Sequence, residues 1–472
     1  MKRGCLQQNA FADRDMDIYQ TMKKKQLKHG GYYFVFSPFY IPMDLEVIKL
    51  ILQTDFHHFV DRGMYVNERD PLSTHLFNLS GNKWKLLRTK LSPTFTSGKM
   101  KMMFENLVEC TAALDKAMDK NLGTTVDIKD VLGRFTTDVI VSCAFGLSCN
   151  SLENPNNEFR KKGRALFLEK GLLEYIKYGL FFAIPNIMRF FNAKLIPPDV
   201  TDFFYGVVKD TVAYREKNDI YRKDFLHLLI QLKNRGQLVD DEKLKTEHIT
   251  PDENAINMDE IVAQAFLFFE AGLETSATTM TFCLYELASN RDIQDKLRAE
   301  IRDVLKRYNG IITYDAVNEM VYLEKVLCET LRKYPPLASL PRICTKDYKL
   351  PGTDLIIEKG VRIVIPVYGI QRDPDYYPNP EIFDPERFSE ENKNNRNEFT
   401  YMPFGYGPRL CIGMRFGIME SKVGLISLLK TYEFKLNPKT QEPLKFDPKV
   451  LIMSIKGDIW LDYEKCSKVI SG

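Results

Sequence analysis

The longest unbroken pattern in the chain runs from Met258 to Ser289. Apolar residues fall there on every side of a 3.6-residue period, so the stretch predicts a helix buried nearly all round. At ~1.5 Å per residue it would reach ~48 Å, the width of a large domain. Asp259 and Glu260 occupy its first turn, where the helix dipole favours acid. Glu270, Glu274 and several Thr and Ser hydroxyls inside it argue against a lipid environment. A second apolar face, Ile412, Phe416, Met419 and Val423, recurs at helical spacing beyond Gly413. A third helical stretch opens at Thr313 and ends at Tyr334, because Pro335-Pro336 cannot continue it. Asp44 can cap a helix carrying Leu45, Ile48 and Leu52, and another helix is expected over residues 83–90. From Phe104 to about Asn254 the pattern is mostly helical. Strand patterns are short: 32–36 and 40–41, broken by Pro38 and Pro42, then 355–357 and 361–365 between turn signals. Residues 451–461 read as a hairpin turning at Lys456-Gly457-Asp458. The expected fold class is mainly α with small β-sheets, that is α+β.

The 472 residues are 44% hydrophobic and 27% charged, a globular composition with ample core. No linker, low-complexity tract or repeat divides them, so one domain over 1–472 is expected. Basic and acidic residues nearly balance, 66 against 63, and no aromatic-basic pattern points to nucleic acid. The nine cysteines are scattered, odd in number and without CxxC, which excludes a disulfide framework and fits a reducing compartment. The histidines form no metal-ligand cluster. Residues 1–20 are polar and hold no run of signal-peptide or membrane-anchor length.

Candidate chemistry concentrates in Phe404-Gly405-Tyr406-Gly407-Pro408-Arg409-Leu410-Cys411-Ile412-Gly413. The glycines and proline forbid regular structure and permit φ > 0 turns and close approach to something flat. Cys411 then stands where a loop meets a helix N-terminus, whose free N–H groups and dipole favour the thiolate, a soft anionic metal ligand. Arg409 can meet a second anion close by. A cysteine alone on such a loop would equally be a buried free thiol. In the order F-x-x-G-x-R-x-C-x-G, however, these residues resemble the haem-ligand loop of the cytochrome P-450 family, with Phe404, Gly407, Arg409, Cys411 and Gly413 in register.

Further stretches extend the resemblance over nearly the whole chain. Trp84 and Arg88 lie on one helix face, an indole N–H and a guanidinium able to grip a carboxylate or simply to stack on a surface. Ala271-Gly272-Leu273-Glu274-Thr275-Ser276 is similar to the family's central-helix motif. Glu329-Thr330-Leu331-Arg332 and Pro385-Glu386-Arg387-Phe388 match two more; without the second, the first would read as a solvated charge pair. "DFHHFVDRG", "AGLETSATT" and "ETLRKYPPL" most resemble the microsomal, arthropod detoxification branch.

The resemblance implies a cytochrome P-450 fold with the long central helix over a haem, iron protoporphyrin IX, whose axial metal ligand is the Cys411 thiolate. It implies that Arg409, Phe404, Gly413, Trp84, Arg88, Arg342 and Gly272 bind this cofactor. Trp84 with Arg88, and separately Arg342, would hold propionates, and Gly272 would let the flat group approach the backbone. Thr275 with Glu274 would be the catalytic alcohol–acid pair that relays protons, Thr275 also bonding back to the Ala271 carbonyl and bending the helix. Glu329, Arg332 and Arg387 would form a buried triad bracing the cysteine loop.

The implied reaction is monooxygenation of lipophilic small molecules: xenobiotics such as plant toxins or insecticides, or endogenous hormones and lipids. Electrons would come from NADPH through NADPH-cytochrome P-450 reductase, with cytochrome b5 a second donor, since the chain has no dinucleotide or flavin fingerprint. Lys83, Lys85, Lys90 and Lys99 are either a docking face for the reductase or ordinary solvated lysines. The alternatives are a dioxygen-independent isomerase or dehydratase, members of which lack the acid–Thr pair, and a non-enzymatic haem sensor or inactive homologue. The pocket is expected from the 64–82 loop, Phe268, Phe269, 338–340 and 451–453. A monomer at the cytosolic face of the endoplasmic reticulum membrane is implied, its N-terminal anchor missing from the chain as written. Phe181, Phe182, Ile184 and Ile187 beside Pro185 are either core or a further membrane contact.

Overall fold

The computed structural model describes residues 10–34, 37–167, 180–181, 185–238 and 255–466. Its central helix spans Met258–Ser289 as the pattern predicts. The Asn257 side chain accepts from Glu260 N–H at 2.9 Å and Glu260 returns to the Asn257 N–H at 2.9 Å. This reciprocal cap contributes about 1 kcal/mol and fixes where the helix starts. Helices Ile128–Ile140, Pro198–Lys217, Phe225–Arg235, Val321–Lys333 and Met414–Thr431 pack around it. The packing is tight enough to dictate residue size. A Cβ on Gly272 would lie 2.3 Å from Ile140 Cδ1 on the helix Ile128–Ile140. The absence of a side chain at Gly272 therefore serves helix–helix contact.

The strands are β1 His29–Phe34, β2 Ser37–Pro42, β3 Val126–Asp127, β4 Leu340–Ile343, β5 Tyr348–Lys349, β6 Ile356–Ile357, β7 Arg362–Ile365, β8 Tyr432–Leu436 and β9 Trp460–Lys465. They form sheets ordered β1-β2-β7-β4, β3-β9-β8 and β5-β6. Pro38 and Pro42 do not break β2. Only Phe39 and Tyr40 of that strand pair with β7 on its second side, so both prolines lie where a missing N–H is tolerated. The hairpin expected over 451–461 does not form. Gly457 does turn at φ 101, but Ile455 bridges to Phe446 and the following strand, β9, pairs with β8. Alternation decides this: Ile459, Leu461 and Tyr463 are all buried, and β8 offers them a core. The helical stretch after Thr313 is split at Met320 into Tyr314–Glu319 and Val321–Lys333, the Thr313 side chain capping the first.

Two hydrophobic cores result. The larger surrounds the central helix; the smaller joins the β1-β2-β7-β4 sheet to Ile48, Ile51, Leu52 and Phe59. The cysteine loop bridges them. Phe404 and Ile412 pack on the larger core, Tyr406 on the smaller. Among the described residues no helix is long and apolar enough to cross a membrane.

Candidate functional site

The loop before Cys411 is shaped by glycines that cannot be replaced without strain. Gly405 sits at φ 78 and Gly407 at φ 71. A Cβ on Gly407 would also fall 1.9 Å from the Leu52 carbonyl oxygen. Cys411 N–H donates to the Phe404 carbonyl at 2.9 Å and closes the loop. Gly413 then leads the helix Met414–Thr431, and a Cβ there would touch only Phe95, at 4.0 Å. The Cys411 side chain is exposed yet surrounded by protein deeply enough to be desolvated, which fits a sulfur that faces an internal cavity rather than bulk solvent. Burial pushes the thiol pKa up; the Gly413 N–H, Arg62 and Arg88 pull it part of the way back. The helix-terminus argument for a thiolate is thus outweighed in the bare polypeptide, and it is a metal on the sulfur that would deprotonate it.

Beside the cysteine stands a cluster of guanidiniums. Arg409 is buried, stacks 3.9 Å over the Trp84 ring, and donates to the Val60, Leu76 and Leu79 carbonyls at 2.9, 3.3 and 2.7 Å. Arg62 donates to the Phe77 and Arg409 carbonyls, each at 3.1 Å. Arg342 on β4 is buried, and its Nε has no partner within the protein. Burial and mutual repulsion push Arg62 down to about 10, Arg342 to about 9 and Arg409 to about 8, and burial lowers Arg88 as well. The carboxylate that opposes this at Arg409 is Asp61, 3.7 Å away. Such a donor set calls for anionic groups. A soft sulfur facing a cavity, next to guanidiniums in excess of their acids, fits a haem bearing carboxylates.

The central helix has one face that is not closed over. Between Ile261 and Leu284 the residues that are not buried are Leu267, Glu270, Ala271, Gly272 and Thr275. Thr275 Oγ1 donates to the Ala271 carbonyl at 2.7 Å, the back-bond the sequence suggested. Glu274 is buried; desolvation raises its carboxyl pKa, opposed by Lys129 and Arg160. Arg160 continues outward to the Asp130 carboxylate at 3.2 Å. Phe268 and Phe269, expected in the pocket, are core instead. Phe269 packs on Phe145 and Phe204, and Phe268 on Phe95, Phe225 and Phe416. Leu451 is half exposed, while Ile452 and Met453 are buried.

Behind the cysteine loop the predicted triad is assembled. Arg332 Nε and Nη2 grip the Glu329 carboxylate at 2.6 and 2.8 Å, and Arg387 Nε lies 3.5 Å from it. Glu329 and Arg332 are fully buried. Sequence reasoning missed Gln371, which transmits the brace. Arg332 donates to the Gln371 carbonyl, Gln371 donates to the carbonyls of Leu331 and Arg332, and its Oε1 accepts from Met402 N–H at 2.8 Å, two residues before Phe404. It also missed Arg62. Neither residue lies in a periodic stretch, and only "DFHHFVDRG", quoted for its resemblance, hinted at Arg62.

A sequence profile described as Cytochrome P450 matches residues 3–461. Probable cytochrome P450 6a14 of Drosophila melanogaster is 43% identical over 98% of this chain and 91% of its own length. Cytochrome P450 6k1 of Blattella germanica is 43% identical over 96% of this chain and 87% of its own. Cytochrome P450 6a2 of Drosophila melanogaster is 41% identical, covering 95% and 88%. Likeness of this extent, on top of the site geometry, settles the kinship: this chain belongs to the cytochrome P450 family and is a haem-thiolate monooxygenase.

Proposed function

We propose that the chain oxygenates lipophilic small molecules in the cavity between Cys411 and the open face of the central helix, using electrons delivered from NADPH by a reductase. The observation that carries this reading is the exposure of the Cys411 side chain together with that of Ala271 and Thr275 in an otherwise buried helix. The haem, when bound through the Cys411 sulfur, supplies the oxygen-activating chemistry. Around it, Arg62, Arg88, Arg342 and Arg409 would hold its carboxylates. Leu267 and Ala271 line an apolar wall that excludes water and suits a lipophilic substrate. Thr275 spends its hydroxyl hydrogen on the Ala271 carbonyl, so the lone pairs of Oγ1 are offered to the cavity. Glu274, its pKa raised by burial, holds a proton nearer neutral pH than a surface carboxylate does, and Arg160 with Asp130 links it to the outside.

The reductase is the expected partner, with cytochrome b5 as a further donor. Lys85 and Leu86 are exposed on the Trp84 helix and support a docking face; Lys83 is tied to Glu68 at 2.7 Å. Residence at the endoplasmic reticulum membrane is supported by apolar surface at Ile187, Phe190 and Phe191. Phe181, counted in that patch from sequence, is buried against Tyr65 at 4.5 Å; Phe182, Ile184 and the side chain of Pro185 lie outside the described residues.

The test is the absorption spectrum of the reduced, CO-bound protein with reductase-dependent turnover. Wild type should show the thiolate-specific Soret position and Cys411→Ser should lose it. Thr275→Ala should keep the spectrum but release more peroxide per NADPH consumed. A thiolate spectrum with turnover that needs no reductase would favour the isomerase reading instead.

A further inference from the structure

The open face of the central helix ends, toward its N-terminus, at a polar side chain. Gln264, Leu267, Ala271 and Thr275 recur at i, i+3, i+7 and i+11, so they share one stripe. Leu267, Ala271 and Thr275 are not closed over, whereas Gln264 is buried and bound to the 64–82 segment. Its Oε1 accepts from the Leu76 N–H at 3.0 Å. Its amide nitrogen has no partner among the described residues, so the acceptor is the part of the side chain that this contact uses. From Leu76 the connection continues to the cysteine loop. The Leu76 carbonyl accepts from Arg409 Nη1 at 3.3 Å, while the Val60 and Leu79 carbonyls take Nε and Nη2 at 2.9 and 2.7 Å. Leu79 belongs to the same turn, its N–H donating to the His75 carbonyl at 3.1 Å. A guanidinium carries its N–H donors in one rigid plane, so three anchored donors fix the direction in which the others point.

Resting on the placement of haem carboxylates at Arg409 proposed above, we infer that Gln264 is a positioning residue: through Leu76 it aims the Arg409 guanidinium at those carboxylates and fastens that grip to the central helix. Without the amide oxygen, the Leu76 N–H is left buried and unbonded. The turn then shifts to find another partner and takes the Leu76 carbonyl away from Arg409. A displaced guanidinium holds a carboxylate less well. It also withdraws positive charge from the haem, which disfavours the reduced and more negative state.

The experiment uses the haem-loaded full chain and the variant Gln264→Met, which keeps the side-chain length and drops the acceptor. Haem release is followed by capture in apomyoglobin, the reduction potential by spectroelectrochemistry, and backbone order by hydrogen exchange. Gln264→Met should release haem about tenfold faster than wild type and have a more negative potential. In the Arg409→Lys background the same change should alter release by less than about twofold, because its route is already broken. Hydrogen exchange in Gln264→Met should rise over 404–411 as well as over 75–79. Wild-type release and potential in Gln264→Met, a full effect persisting in Arg409→Lys, or unchanged protection over 404–411 overturns the inference. Wild-type release from Arg409→Lys alone would instead strike the placement of carboxylates at Arg409, and hydrogen exchange would still score whether Gln264 orders the cysteine loop.

Discussion

Among the described residues Glu420 makes no charge pair, and it is fully buried. It lies on the helix that follows the cysteine loop, and neither carboxyl oxygen makes a hydrogen bond of ordinary length. Burial pushes it up to about 8, opposed only by the Ser276 hydroxyl. In the unfolded chain a glutamate titrates near 4.5, so between about pH 4.5 and pH 8 the native state holds one proton more than the unfolded state. Stability conferred by the neutral carboxyl is complete below pH 4.5 and is lost as pH rises toward 8. The slope is about −1.4 kcal/mol per pH unit, which amounts to about 3 kcal/mol by pH 7. Glu420→Gln keeps the shape and removes the titration. The variant should match wild type near pH 4.5 and exceed it progressively to about 3 kcal/mol at pH 7. A melting scan is a poor probe. For a chain of this length the unfolding entropy is about 1 kcal/mol per kelvin, so the gain is only about 3 °C. Urea unfolding of both haem-loaded proteins at pH 5.5, 6.5 and 7.5, followed by circular dichroism, resolves it. Haem release enters both proteins alike and cancels in the difference. If the gap between variant and wild type does not widen with pH, Glu420 does not carry a trapped proton and the reasoning is wrong.

Arg332→Ala should cost about 3–5 kcal/mol, because it strands the buried Glu329 carboxylate and frees the Gln371 and Pro380 carbonyls; haem absorbance per protein and the urea midpoint measure it, and normal haem content would refute the brace. Arg332→Lys should fail almost as badly, since an ammonium cannot hold a carboxylate with two hydrogen bonds and reach two carbonyls. Gly272→Ala should destabilise by about 1–3 kcal/mol through its clash with Ile140 Cδ1, and Ile140→Val, which deletes that methyl, should restore most of the loss. A failure of Ile140→Val to rescue, with spectra showing a disturbed haem, would instead place Gly272 against the cofactor.

Much of the framework was legible because it rests on local rules. The central helix was bounded correctly at both ends: an all-round apolar run began with acids in its first turn, and the structure adds the Asn257 cap just before it. Pocket and core positions were another matter. Phe268 and Phe269 look identical to pocket residues in a list of apolar side chains. Only the helix rotation of about 100° per residue, fixed by packing on Ile140 and Phe204, buries them and leaves Leu267, Glu270 and Ala271 not closed over. Gly272 shows a related limit: a motif reveals that a side chain is missing there, not which neighbour fills the space. Arg62 and Gln371 were invisible because each acts from irregular backbone, where no spacing rule links them to the cysteine loop.

The 60–79 segment and the cysteine loop order one another, and this follows from the donors each supplies. Arg409 donates to the carbonyls of Val60, Leu76 and Leu79; Arg62, from within that segment, donates back to the Arg409 carbonyl. Neither arginine can settle before the other's backbone is in place. His75, which faces Glu270, is carried on the same segment, so the wall that would meet substrate and the loop that offers Cys411 are mechanically one piece. A change at His75 should therefore reach the cysteine side through Leu76 and Leu79. A change at Phe268 should reach the same side by a separate route, through Phe416 on the helix that follows the loop and through Phe95, which lies against Gly413.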